Sequence, residues 1–318
     1  MQVTTRPYQD KHDLYRMLDF VVVDAGGDRR GYLHVGDVVW GMYHRTAYDP
    51  VRNIQLWEDH QGTLLGFAWH EDPDGVLLQV APHLRGTGLL EAEMIAWGAS
   101  RVDRSAPSSD GQLWTRVYDG DTQTVAYLAK MGWSRDETHS LKMRRALDAP
   151  VPDMELPAGF TVRPVSDEEE WAARVALHRA VWPGATMTLA AYQRLRAAPG
   201  FLPELDLVAV APDGTFAAYC ICWLDVVNGT GEFEPVGTHA AFRGQGLGKA
   251  VMHEGLGRLH ALGARIARVT AFGDNVAAAK LYASMGFTIW DTEHLYSKPL
   301  DELAADATTA ACDPRRLP

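Results

Sequence analysis

Three short signatures occur twice along this chain, in the same order and at a nearly constant separation. Such internal repetition limits the fold more than any other feature. Thr5-Arg6-Pro7 returns as Val162-Arg163-Pro164, and Arg85-Gly86-Thr87-Gly88-Leu89-Leu90 as Arg243-Gly244-Gln245-Gly246-Leu247-Gly248. Lys130-Met131-Gly132-Trp133 returns as Ser284-Met285-Gly286-Phe287. The separations are 157, 158 and 154 residues, so the chain reads as two diverged copies of one domain. Its 318 residues suit two cores of ordinary size. Between the copies, residues 148–159 hold Pro150, Pro152, Pro157 and Gly159, which remove amide donors and block helix. The expected division is therefore 1–147, an N-terminal domain; 148–159, a linker; 160–300, a C-terminal domain; and 301–318, a tail that starts as a short helix.

Each half has a similar order of elements. In the second, 168–182 has a helical pattern, and 207–210 and 216–224 read as strands joined at Asp213-Gly214, a hairpin signal. Residues 231–238 form another strand candidate. The glycine-rich stretch follows, and then a helix with Leu247, Val251, Leu259 and Leu262 at helical spacing that ends near Gly263. Residues 265–271 read as a strand, and 275–284 as a helix capped by Asp274 or Asn275. Phe287 starts one more strand. The natural packing is an α/β (α+β) one: in each copy a mixed, mainly antiparallel sheet flanked by helices.

The glycine-rich stretch lies between a strand and a helix. Glycines there permit a sharp turn and close approach of a ligand, and the free amides at the helix start suit a diphosphate. A nucleotide P-loop needs Gly-Lys followed by Ser or Thr, but Gly248-Lys249 is followed by Ala250. A dinucleotide fingerprint needs a third glycine where Lys249 stands. What remains is Arg-x-x-Gly-x-Gly, and downstream the run Asn275-Val276-Ala277-Ala278-Ala279-Lys280-Leu281-Tyr282-Ala283-Ser284-Met285-Gly286-Phe287. With both motifs in this order, the chain resembles the GCN5-related N-acetyltransferase (GNAT) family in a tandem two-domain form. The motifs themselves span about 231–287; the rest of the half matches by element order.

The resemblance implies acetyl-CoA as cosubstrate and no metal. It implies that Arg243, Gly244, Gln245, Gly246, Leu247, Gly248 and Lys249 hold the pyrophosphate. Val236, Gly237 and Thr238 pair with the pantetheine arm as an added strand would, and Asn275 contacts that arm. Tyr282 stands near the thioester sulfur as general acid, against the plainer reading of ordinary helix packing. Acetylating an amine also needs a base. Glu232 and Glu234 alternate along one strand and so share a side, and either one suits the role; a pair of solvated edge carboxylates is the plain alternative. His239 is held in reserve. One departure from the family pattern is Thr238-His239-Ala240, where apolar-x-Pro is usual.

The first copy looks degenerate. Leu90 replaces the last loop glycine and is expected to crowd a diphosphate. Asp121 stands at the place of Asn275 and Leu128 at that of Tyr282, and leucine has no proton to give. The N-terminal domain is thus expected not to catalyse.

The net charge of −11 is shared by both halves and argues against general nucleic-acid binding. It agrees with a cationic acceptor as well as with plain solubility. Cys220, Cys222 and Cys312 form no paired CxxC, so zinc and redox chemistry have no support, and buried thiols in a reducing compartment are expected. His253 and His260 share a helix face with no ligand partner nearby. Arg265 and Arg268 suit either the CoA 3′-phosphate or an outer strand face. Trp182, Trp223 and Trp290 read as core, with lining of an acceptor pocket by some of the tryptophans as the alternative. No signal segment or membrane-length apolar run is visible, so a cytoplasmic location is expected.

The leading expectation is direct acetyl transfer from acetyl-CoA to a small-molecule or peptide primary amine in the C-terminal domain, by a monomer or homodimer with no nucleic-acid or membrane partner. The alternatives are an enzyme like the mycothiol synthases, which are also tandem with activity in the second half, and a non-catalytic acyl-CoA sensor.

Overall fold

The structure is a computed structural model and describes residues 2–25, 32–71, 73–104, 110–152 and 154–311. Cys312 and the expected loose end of the tail lie outside the described residues. In chain order, the first elements are β1 (Val3–Pro7), α1 (Lys11–Ala25), α2 (Val35–Tyr43), α3 (Pro50–Asn53), β2 (Ile54–Asp59), β3 (Leu64–Glu71), β4 (Gly75–Val80) and α4 (Glu91–Ala99). They are followed by β5 (Gln112–Tyr118), α5 (Thr122–Lys130), β6 (Ser134–Ala146), β7 (Thr161–Pro164), α6 (Glu168–Val181), α7 (Leu189–Arg196), β8 (Asp206–Val210) and β9 (Phe216–Asp225). The last are β10 (Thr230–Thr238), α8 (Leu247–Ala261), β11 (Ile266–Phe272), α9 (Val276–Ser284), β12 (Thr288–Pro299) and α10 (Leu300–Ala311). The elements expected between 168 and 290 stand where the residue pattern puts them, within two residues at each end, and Asn275 is the cap of α9.

The chain forms two compact units that interleave along the sequence. Unit 1 comprises Met1–Phe20, Asp49–Ser140 and Asp291–Pro318; unit 2 comprises Val21–Tyr48 and Leu141–Trp290. This division differs from the consecutive one expected from the proline-rich stretch. Within unit 1, β1 to β4 are antiparallel neighbours, β5 joins β4 in parallel, and the sheet is completed by β12, antiparallel to β5 from Glu293 to Pro299. Within unit 2, β7 to β10 are antiparallel, β11 joins β10 in parallel, and the part of β6 from Leu141 onward follows β11. Each sheet is therefore mixed and mainly antiparallel, and each takes its final strand from the other half of the sequence. The proline-rich stretch belongs to unit 2: Val151 packs on its core, and the Leu147 amide donates to the Arg265 carbonyl at 2.8 Å.

In unit 2, β8 is buried along its whole length, so its run of apolar residues is covered on both faces. Alternation sorts them. Leu207, Ala209, Cys220 and Cys222 face α8 with Val251, Leu256 and Leu259. Val208, Val210 and Tyr219 face α6 with Leu177 and Val181. Burial of each such α8 side chain contributes roughly 1.5–3 kcal/mol before conformational entropy is subtracted. Gly255 permits this close docking, since a Cβ there would come within 2.7 Å of Cys222 Sγ and of the Phe233 ring. Helix α2 packs on β9 and β10 and against α7. Nothing in the repeat pattern foretold that a segment from the first half would build unit 2.

Candidate active site

The parallel register of β10 with β11 ends at Phe233↔Val269, yet β10 continues to Thr238. Past that point, among the described residues, β10 is paired with β9 alone, through Val236↔Cys220, Gly237↔Tyr219 and Thr238↔Ala218. The backbone groups of these residues that point away from β9 have no strand partner, which suits an extended amide-bearing ligand. A bulge between Phe233 and Val236 marks the point of parting.

A cleft of about 750 Å³ opens at this gap. Val236, Gly237 and Thr238 form one wall, and Arg243, Gly244, Gly246, Leu247, Gly248 and Lys249 the end; Gln245 does not line it. Gly244 and Gly246 adopt φ 78° and 81°, the left-handed region that glycine reaches without strain. Gly246 ends this turn as the cap of α8, so the first amides of the helix face the cleft with its dipole behind them. The amides of Gly244, Gly246 and Gly248 make no hydrogen bond among the described residues. Open space surrounds Gly244, whereas a Cβ on Gly248 would press on Leu281 and Thr238 at 3.2 and 3.3 Å. The Arg243 guanidinium folds back and donates from Nε to the Thr238 carbonyl at 3.3 Å.

The opposite wall is α9. Asn275 caps it, its Oδ1 accepting from the Ala278 amide at 3.0 Å, and Asn275 also lines the cleft. Tyr282 lines the cleft from the same helix and is 6% exposed. Burial, with the charge of Glu234 adding to it, pushes the Tyr282 phenol above its ordinary range, so it stays protonated. Glu234 is half-buried and close enough to act on both Tyr282 and Tyr219.

Residues 168–287 match the model of the Acetyltransferase (GNAT) family. The chain is 36% identical over 207 residues to the mycothiol acetyltransferase of Kineococcus radiotolerans, covering 62% of this chain and 64% of that one. It is 33% identical over 252 residues to the mycothiol acetyltransferase of Thermobispora bispora, covering 74% of this chain and 80% of that one. The chain belongs to the GNAT acetyltransferase family. Among solved structures, a tandem GNAT protein from the clavulanic acid biosynthesis pathway shares its fold with a TM-score of 0.66 at 17% identity, over 94% of this chain and 99% of that one. So does a GCN5-related N-acetyltransferase from Sphaerobacter thermophilus, with a TM-score of 0.64 at 22% identity, over 94% and 96%.

The two glutamates of β10 meet different partners, and a bulge follows between Phe233 and Val236. Glu232 is buried against α2, its Oε2 3.3 Å from His34 Nδ1. Burial opposes the charge on each, but the partner outweighs it: Glu232 is held below its ordinary range and His34 above. The protonated ring forms an ion pair with Glu232 and donates from Nε2 to the Thr230 carbonyl, 3.2 Å away. In the neutral ring, Nδ1 accepts the Gly36 amide at 3.1 Å and caps α2. Asp37, which accepts from the His34 amide, is pushed up to about 7 by burial and then by the Glu232 charge.

His34→Ala is expected to cost up to about 3–5 kcal/mol of stability, because it removes from the buried Glu232 charge the cation that acts on it most, ahead of Lys142 and Arg268. In a Glu232→Gln background the same change should cost much less. The coupling is full above the ordinary glutamate value of 4.5 and below the ordinary histidine value of 6.5, and fades as pH rises through the raised value of His34. Urea unfolding of the four proteins at pH 6 and pH 9 measures it; equal costs in both backgrounds would refute the pairing.

Behind the mouth of the cleft, Trp182 Nε1 donates to the Tyr219 hydroxyl at 2.8 Å, and that hydroxyl donates to His178 Nδ1 at 2.6 Å. His178 is neutral, pushed down to about 3 by burial and by Arg174. Arg174 lies 3.7 Å over the Tyr219 ring and donates to Asp206 at 2.9 Å, both groups fully buried. This chain of contacts fixes the Trp182 indole that lines the cleft. The other residues singled out in the sequence lie elsewhere. Arg268 stacks over Trp290 at 5.5 Å and Arg265 donates to the Asn228 carbonyl, so neither lines the cleft. His239 accepts the Ala241 amide at the short turn before the loop, and His253 contacts the Pro152 carbonyl. Among the described residues, no group of three or more His, Cys, Asp or Glu is placed to hold a metal, and no helix is long and apolar enough to cross a membrane.

The sequence reading missed His34, Asp37, His178 and Tyr219. The Ser/Thr/Asp-type cap signal before α2 is absent, since a histidine takes that place, and the partners are distant along the chain. Only the three-dimensional fold brings them together.

Proposed function

We propose that unit 2 binds acetyl-CoA and transfers its acetyl group directly to a primary amine. The observation that carries this reading is one cleft that joins unpaired loop amides, an unpaired stretch of β10 and a protonated phenol. The loop amides, with Lys249 beside them, hold the diphosphate. The stretch from Val236 to Thr238 pairs with the pantetheine, and Asn275 adds a contact to it. Glu234 takes the proton from the bound ammonium, directly or through water, so that the nitrogen lone pair forms the C–N bond. Tyr282 gives a proton to the sulfur as the C–S bond breaks. The pairing of Glu232 with His34 favours Glu234 over it for the base role. Direct transfer is supported by the burial of Cys220 and Cys222, both at most 1% exposed, which denies them to a thioester.

A narrower reading of the acceptor is favoured by the relatives. Both relatives named above carry the name mycothiol acetyltransferase. The acceptor of that reaction is therefore the first amine to supply. A non-catalytic acyl-CoA sensor would have no use for a protonated phenol on the cleft with a carboxylate, Glu234, near enough to act on it. The test is thiol release from acetyl-CoA with that acceptor and with a panel of simple primary amines. Amine-dependent release supports the proposal, and its size across the panel ranks the acceptors. Failure of acetyl-CoA to bind at all would overturn it.

A further inference from the structure

The counterpart loop in unit 1 has the same backbone form, with Gly86 and Gly88 at φ 72° and 79°, and it borders a cleft of about 760 Å³. Its amides, however, are taken. The Glu91 carboxylate accepts the Gly86 amide on Oε1 at 2.5 Å and the Gly88 amide on Oε2 at 3.0 Å, and Glu91 is 1% exposed. Two oxygens of one anion spanning these two amides is the arrangement that a phosphate group would adopt there. We propose that Glu91 is a built-in anion that fills the diphosphate cradle of unit 1, so that the chain takes up one CoA, in unit 2. This rests on reading the unit 2 loop as the CoA diphosphate site.

Comparison of the two copies supports the assignment independently. At the 158-residue spacing of the loops, Lys249 stands at the position of Glu91. Helix α8 has no acidic residue in its first turn, whereas α4 begins with Glu91. One copy thus presents a cation beside free amides, and the other a carboxylate bonded to them. The unit 1 loop is also closed from α5. A Cβ on Gly88 would come within 2.6 Å of the Tyr127 ring, and one on Gly86 within 2.6 Å of Gln123, while nothing lies within 4 Å of the same point on Gly244. Leu90, the residue that the sequence marks as the obstruction, points instead into the core with 0% exposure. A carboxylate tethered five and three residues from the amides it binds is present at high effective concentration, and a free diphosphate has to displace it.

The experiment uses full-length protein labelled with 15N-glycine, its loop signals assigned by 13C labelling of the preceding residues, and titrated with inorganic pyrophosphate. In the unaltered protein the Gly244 and Gly246 amide signals are expected to shift saturably, and those of Gly86 and Gly88 to stay in place. In Glu91→Ala, the Gly86 and Gly88 signals should shift as well. Glu91→Gln, which keeps the volume, should give the same response at higher pyrophosphate and covers the case in which the alanine variant does not fold. Movement of Gly86 and Gly88 in the unaltered protein overturns the proposal, as does their indifference in folded variants. If instead Gly244 and Gly246 fail to move, the diphosphate reading of unit 2 fails, and the Glu91 result still stands on its own signals.

Discussion

Replacing Tyr282 by phenylalanine is expected to lower kcat by about 10²–10⁴-fold, the range for loss of a positioned general acid, while acetyl-CoA affinity stays within about twofold. The change removes one oxygen from a side chain whose ring already packs with Phe287 in the core of unit 2, so folding should be preserved. The phenol is suited to donate because burial and the Glu234 charge keep its proton on. Loss of that proton donor leaves the thiolate to depart without neutralisation, which affects the transition state and not the bound ground state. Steady-state kinetics beside calorimetric titration separate the two. A fall in affinity equal to the fall in kcat/KM would mean that Tyr282 only shapes the cleft.

Gly246→Glu should weaken CoA binding about 10³-fold or abolish it. At φ 81° any side chain is strained, but the larger effect is charge. A carboxylate about 4 Å from one diphosphate charge is repelled by roughly 4 kcal/mol at an effective dielectric constant near 20, and each 1.4 kcal/mol is about tenfold in affinity. Gly246→Ala separates the causes, since it carries the backbone strain of roughly 1–2 kcal/mol without the charge. The space beside Gly246 is nearly empty, its nearest neighbour being Pro157 at 4.0 Å, so steric collision is not an issue for the smaller variant. Calorimetric titration with acetyl-CoA reads both. Binding by Gly246→Glu at the unaltered affinity would place the diphosphate elsewhere. In unit 1 the protein presents the same design natively, with Glu91 as the negative group beside the loop amides.

The parts of unit 2 that were legible in the sequence are those governed by nearest-neighbour rules. Gly244 and Gly246 suit a left-handed turn, Asp274-Asn275 offers a cap to α9, which Asn275 takes, and Asp213-Gly214 turns the hairpin. Each is decided within a few residues of chain, and the repeat at constant spacing supplied the second copy of the domain. Alternation along β10 is a local rule too, but it is silent on the partner each glutamate meets and on the bulge against β9 between Phe233 and Val236.

What the sequence by itself determined is the family, the mixed and mainly antiparallel sheets and the loop and helix that line the cleft, because glycine conformations, caps and hydrophobic periods are written in adjacent residues. What only the tertiary structure decided is which remote segments complete each unit: β12 in unit 1, and β6 and α2 in unit 2. It likewise decided that Glu232 is neutralised by His34, 198 residues away, and that Glu91 reaches back to its own loop. Strand pairing and the partner of a buried charge depend on whole surfaces meeting, with the cost of an unpaired buried group selecting the arrangement, and no local pattern encodes them.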